Sequence, residues 1–142
     1  MQRTLHSAGS ISLRALLPEA RFFGDHDVRI ASCVTDARRC RPGDLYAALV
    51  SADRDGHEGA AEAVRRGAAA VLGERLLPVN VPVCVVPHSL EAYGRVCQHL
   101  AGDPGELLHI TGVTGTHGKT VTSMLIAAVL HASRRRVGVT ST

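Results

Sequence analysis

Aromatic residues are scarce in this chain: of 142 residues, two are Tyr, two are Phe and none is Trp. Ala, Val and Leu must therefore fill most of any core, and there is no aromatic platform on which nucleic-acid bases could stack. No apolar run reaches the roughly 18 residues of a membrane span. The first residues, Met1 to His6, also lack the apolar stretch of a secretory signal. A cytoplasmic location without membrane insertion is the resulting expectation. The four cysteines, Cys33, Cys40, Cys84 and Cys97, have no Cys-x-x-Cys spacing, and the eight histidines form no His-x-x-x-His pair. Both patterns argue against a zinc site or a disulfide framework. Lysine is nearly absent, with Lys119 alone among sixteen basic residues, and no Asp or Glu follows Glu106.

That single lysine stands in the most informative stretch, Gly112-Val113-Thr114-Gly115-Thr116-His117-Gly118-Lys119-Thr120. An apolar run, Leu107 to Ile110, precedes it, and a helical pattern from Val121 through Met124, Leu125, Ala128, Val129 and Ala132 follows. A strand, a glycine-rich turn and a helix are the setting of a phosphate-binding loop. The glycines let backbone N–H groups close around phosphate oxygens, and the helix start adds partial positive charge. Lys119 suits the terminal phosphates and the Thr120 hydroxyl suits Mg²⁺. The spacing, Gly-x-x-Gly-x-x-Gly-Lys-Thr, differs from the plain Walker pattern because Val113 stands where a glycine is expected.

Upstream, residues 1–10 read as frayed, and Ser12 as the cap of a short helix through Leu13, Leu16 and Leu17 that stops near Pro18. Strands are expected at Val28–Val34, Leu45–Val50, Ala68–Leu72 and Val81–Val86. Helices are expected from Glu58 to Arg66, closed by Gly67, and from a Ser89 cap, with the apolar face Leu90, Tyr93, Val96, Cys97 and Leu100. Arg41-Pro42-Gly43-Asp44 reads as a turn and Ser51 to His57 as a polar loop. Gly102-Asp103-Pro104-Gly105 marks a domain boundary, and the formal charge is zero before it and +3 after it. The Arg134–Arg136 triplet, which complements a helix C-terminus, is too local for a nucleic-acid stripe. Arg136 to Thr140 reads as a further strand, completing a βαβ unit. Such a unit cannot bury both faces of a sheet by itself.

The fold class is therefore α/β. A small α/β domain at 1–104 is followed at 105–142 by the first, incomplete βαβ unit of a parallel-sheet phosphate-loop domain. The missing acid agrees with this division, because phosphoryl transfer generally draws a metal-binding carboxylate from a later strand.

Two sets of residues resemble one family, the Mur ligases of bacterial cell-wall synthesis. Thr114 to Thr120 is similar to that family's T-G-T-N-G-K-T loop. Thr35-Asp36-Ala37-Arg38, with Pro42-Gly43-Asp44-Leu45-Tyr46-Ala47-Ala48-Leu49, resembles its D-S-R…PGDLF-A-L pattern. Asp55-Gly56-His57 and Gly67 to Glu74 continue the match. The branch most resembled adds the third residue to a UDP-N-acetylmuramoyl-dipeptide. Three positions depart from the pattern: Ala37 for the usual Ser, Ala52 for the more common His, and His117 for the commoner Asn.

The resemblance implies that 1–104 is an N-terminal UDP-substrate domain and 105–142 the start of a central ATP-binding domain. It implies the N-terminal portion of an ATP-dependent carboxylate–amine ligase that works through an acyl phosphate. The partners would be a UDP-MurNAc-peptide and an amino acid, with ATP and Mg²⁺ as cofactors. Carried over by position, Gly115, Thr116, His117, Gly118, Lys119, Thr120 and Val121 would hold ATP, with Lys119 catalytic and Thr120 on the metal. Thr35, Asp36, Ala37, Arg38, Ala52, Asp53 and Arg54 would meet the UDP-sugar, although Asp36 and Arg38 read rather better as a structural ion pair at a strand end. Two alternatives remain open: another ligase with this loop, such as a cyanophycin or folylpolyglutamate synthetase, or a nucleotide-binding module without catalysis.

Overall fold

The computed structural model describes residues 10–24, 27–52 and 54–140. The fraying expected before Ser10 and the candidate Asp53 lie outside the described residues. The chain divides into two compact units between Leu107 and Leu108.

The first unit is an α/β layer structure. Strand β1 (Ile11–Ser12) leads directly into helix α1 (Leu13–Leu16), and Ser12 caps it by accepting a hydrogen bond from the Ala15 N–H at 3.3 Å. Pro18 follows the helix, in agreement with the stop read from sequence. Strand β2 (Arg21–Phe23) comes next, and then the run from Val28 to Val34, expected as one strand, divides into two. Strand β3 (Arg29–Ile30) pairs antiparallel with β1, whereas β4 (Cys33–Val34) enters the main sheet. The division follows from the partners: Ile30 lies opposite Ile11 in a separate ribbon, and the chain must swing across at Ala31–Ser32 to reach β5.

Strand β5 (Leu45–Ala47) is followed by a hairpin of β6 (Val50–Ser51) and β7 (Arg54–Asp55), where the sequence suggested only a loop. A 3₁₀ turn at Gly56–Gly59 leads into α2 (Ala60–Arg65). Strand β8 (Ala70–Gly73), strand β9 (Val83–Val85) and helix α3 (Ser89–Leu100) complete the layers, and a single helical turn, α4 (Pro104–Leu107), ends the unit. The five-stranded sheet has the order β2-β9-β8-β5-β4, with β4, β5, β8 and β9 parallel and β2 antiparallel at one edge.

Both faces of this sheet are covered, and alternation along the strands sorts the side chains between them. Leu45, Ala47, Ala70, Leu72 and Cys84 pack with Leu13, Leu17, Ala92, Val96 and Leu100. Tyr46 and Val71 point to the other face, against Ala37, Ala60 and Ala63. The apolar face of α3 is the expected one at Val96 and Leu100, with Tyr93 packed against the core, but Leu90 does not join it. Ser89, Ala92, Val96 and Leu100 are buried, while Leu90 is 66% exposed. Ser89 takes the core-facing place in the first turn, where it is held by polar partners.

The second unit contains one helix, α5 (Lys119–Ala132). Among its described residues there is no strand, so the strands expected at Leu107–Ile110 and Arg136–Thr140 are not formed. A parallel strand takes its hydrogen bonds from a neighbour on the sheet, and neither segment has one among the described residues. Leu108, Ile110, Met124, Leu125 and Val129 are exposed apolar side chains. Among the described residues, no helix is long and apolar enough to cross a membrane.

Candidate nucleotide sites

The candidate phosphate loop leads into α5, the helix half of the expected setting. Gly118 stands before the first helical residue with φ of +77°, a left-handed conformation that a side chain would strain. Helix hydrogen bonding starts there, with the Thr122 N–H donating to the Gly118 carbonyl at 2.9 Å. Lys119 is thus the first residue of the helix, and its Nζ bends back to donate to the Gly115 carbonyl at 2.8 Å. An anion entering the loop would compete with that carbonyl for the ammonium. Thr116 and His117 stand side by side on the exposed turn, with His117 Nδ1 3.3 Å from Thr116 Oγ1. Thr120 and Val121 continue the first helical turn.

These residues suit a polyphosphate. They suit Mg²⁺ less well, because Thr120 is the one oxygen ligand the motif supplies and no acid follows Glu106. Among the described residues, no group of three His, Cys, Asp or Glu side chains is placed to hold a metal.

In the first unit the candidate residues gather where ligands of open parallel sheets bind, beyond the carboxyl ends of the strands. Thr35 to Arg38 follow β4, and Ala52 and Arg54 lie on the hairpin that follows β5, the neighbouring strand. Asp36 starts a 3₁₀ turn by accepting from the Arg38 N–H at 3.0 Å. Its carboxylate also takes both arms of the Arg38 guanidinium, at 3.1 and 3.2 Å. That hydrogen-bonded partner raises the Arg38 pKa. The pair is solvent-exposed, so it contributes little stability. Ala37 is buried against the Tyr46 side of the core, which leaves its backbone, rather than its methyl group, to face a ligand.

Three further residues at these strand ends, His57, Glu74 and Ser89, were given no site role by sequence reasoning. His57 is 3% exposed at its side chain; its Nδ1 lies 2.5 Å from Asp55 Oδ1 and its Nε2 accepts from the Glu74 N–H at 3.0 Å. Glu74, just past β8, accepts from both the N–H and the hydroxyl of Ser89 at 2.8 Å. Ser89 Oγ accepts in turn from the Val50 N–H at 3.2 Å. Ser89 therefore does not cap α3 as expected. Glu74 performs that task from another strand, and the hydrogen bonds from Ser89 hold its pKa below the usual carboxylate range. Asp55 is lowered likewise, chiefly by hydrogen bonds from the backbone and ring of His57, with Arg75 adding its charge 2.9 Å away. The available signal was the Asp55-Gly56-His57 and Gly73-Glu74 pattern, which carried no role when read alone.

Comparison with known proteins decides the family. No protein-family model matches the chain. It is 41% identical, over 113 residues, to the UDP-N-acetylmuramoyl-L-alanyl-D-glutamate–2,6-diaminopimelate ligase of Geobacillus thermodenitrificans, a match that takes in 80% of this chain and 23% of the relative. This chain belongs to the Mur ligase family. The Pseudomonas syringae ligase of the same name is 38% identical over 123 residues, 83% of this chain and 25% of that protein. The chain thus spans about a quarter of the length of the Mur ligases it matches. Among solved structures, a 2,6-diaminopimelate ligase superimposes with a TM-score of 0.60 at 23% identity, covering 89% of this chain and 26% of that one. MurF from Acinetobacter baumannii gives 0.60 at 21% identity, covering 87% and 28%. Both share the α/β fold with this Mur ligase chain.

Proposed function

We propose that this chain supplies the uridine-nucleotide domain and the phosphate loop of an ATP-dependent ligase, as the N-terminal portion of that enzyme. The domains divide near residue 104. The enzyme joins an amino acid to a UDP-MurNAc-dipeptide in peptidoglycan synthesis, and the relatives' 2,6-diaminopimelate is the candidate amine. The observation that carries this reading is the 41% identity to a ligase of that name over four-fifths of the chain. That match favours it over a cyanophycin or folylpolyglutamate synthetase. The work is cytoplasmic and involves neither nucleic acid nor membrane insertion.

In this reading Thr35, Asp36, Ala37 and Arg38, together with Ala52, Asp53 and Arg54, meet the UDP-sugar. The backbone N–H groups of Gly115 to Val121 and the Lys119 ammonium hold the polyphosphate. ATP, when bound, supplies the phosphoryl group that activates the substrate carboxylate. Lys119 neutralises charge on the phosphoryl oxygens as they are transferred, and Thr120 offers its hydroxyl to Mg²⁺. The remaining metal ligands are not found among these residues, so the chain alone is expected to bind ATP weakly and to ligate nothing.

The test is an amide-resolved NMR titration of the 142-residue chain with UDP-MurNAc-L-Ala-D-Glu. Shifts confined to Thr35–Arg38 and to the Val50–Asp55 hairpin are expected. Absence of any shift there at millimolar ligand overturns the uridine assignment. ATP should perturb Gly115 to Val121 in the native chain and not in Lys119→Ala.

A further inference from the structure

We propose that His57 is a positioning residue for the uridine-nucleotide site, bridging the β6–β7 hairpin to the end of β8 as the neutral tautomer with its proton on Nδ1. The inference rests on the reading of the first unit as a uridine-nucleotide domain.

The tautomer follows from the partners. The Glu74 N–H can only donate, so the Nε2 it meets at 3.0 Å carries no hydrogen. The proton then resides on Nδ1, where Asp55 Oδ1 accepts it at 2.5 Å. One ring thus reaches from Asp55, at the foot of the hairpin, to the first residue after β8. The other foot is tied to the same residue. The Val50 N–H donates to Ser89 Oγ, the Ser89 hydroxyl donates to the Glu74 carboxylate, and Val50 pairs with Asp55 across the hairpin. The circuit closes through both groups of Glu74, its N–H and its carboxylate.

Two glycines make room for the bridge. A Cβ at Gly73 would lie 2.8 Å from His57 Nε2. A Cβ at Gly56, between the two bridging residues, would lie 2.6 Å from the Leu49 backbone. Asp55-Gly56-His57 and Gly73-Glu74 therefore form one device. It fixes the hairpin that carries Ala52 against the sheet end, beside the turn at Thr35–Arg38.

Two variants separate the ends of the bridge. His57→Gln keeps an acceptor near Nε2 for the Glu74 N–H and loses the donor to Asp55. His57→Asn keeps a donor near Nδ1 and loses the acceptor. The 142-residue chain and both variants are compared by ring ¹⁵N shifts, by amide exchange, and by titration with UDP-MurNAc-L-Ala-D-Glu at a temperature where each is folded. The expected ring has Nδ1 protonated and Nε2 bare. Each variant should speed exchange selectively at Val50 and Gly56, whose N–H groups donate to Ser89 and to the Leu49 carbonyl, and weaken binding roughly five- to tenfold, the equivalent of one hydrogen bond. A ring protonated on Nε2 overturns the proposal. So do folded variants with native affinity and native hairpin exchange, or a uniform acceleration across β5 and β8, which would mark a merely structural residue. If the native chain itself binds no UDP-sugar, the functional reading fails, and the tautomer with hairpin-selective exchange decides the positioning role alone.

Discussion

Replacing Ser89 and Glu74 by Ala, singly and together, isolates the contact that holds the first turn of α3. Ser89 is fully buried, and its hydroxyl lies 2.8 Å from the Glu74 carboxylate while also accepting from the Val50 N–H. A hydrogen bond to a charged group contributes about 1.5–3 kcal/mol. The carboxylate is open to solvent, which lowers the pairwise part to about 1 kcal/mol. Ser89→Ala also deprives the Val50 N–H of its acceptor, so its total effect should be about 1–3 kcal/mol. In a unit of this size, each kcal/mol corresponds to a fall in Tm of roughly 4–8 °C. Urea unfolding of the four proteins of the cycle gives the coupling directly, with about 1 kcal/mol expected. A coupling indistinguishable from zero would refute the reasoning, because a Ser89 that merely capped its own helix would not sense the loss of Glu74.

Gly56→Ala should cost about 1–3 kcal/mol or more in urea unfolding, since its Cβ would strike the Leu49 backbone rather than a side chain able to move. Acid should destabilise the first unit. Asp55 and Glu74 are lowered below their unfolded values of about 4, so their stabilisation is present above those values and is lost as pH falls through the depressed ones. Calorimetry from pH 7 to pH 3 should show this slope, and Asp55→Asn and Glu74→Ala should flatten it. Thiol titration at pH 8 should find Cys33, Cys40 and Cys84 slow in the native chain and fast in denaturant. Burial pushes Cys40 up to about 11, Cys84 to about 12 and Cys33 well above its ordinary value, which leaves little thiolate. Native-state labelling of all four at equal rates would contradict the packing.

Sequence alone was sufficient wherever the chemistry is local. The Gly118-Lys119-Thr120 loop, the Ser12 cap, the breaks at Pro18 and Gly67, and the α/β class all follow from residue types at fixed short spacing. A φ of +77° or a cap at i+3 needs no distant partner. Tertiary structure decided what depends on residues far apart in the chain. The run from Val28 to Val34 divides because its halves find different partners. Ser89 faces the core because Glu74, fifteen residues earlier, accepts from it. The exposed Leu90 goes with that bond, whereas Tyr93, Val96 and Leu100 keep the face that helical periodicity predicted. The hairpin at Val50–Asp55 read as loop because its strands are two residues each, too short for alternation to register. It is held instead by His57, Glu74 and Ser89, which come together only when parallel strands bring their carboxyl ends side by side. Residue pattern therefore determined the glycine turn that starts α5 and the family resemblance. The fold determined which buried side chains hold the candidate nucleotide site in shape, because hydrogen-bond partners in a parallel sheet are set by strand order and not by distance along the chain.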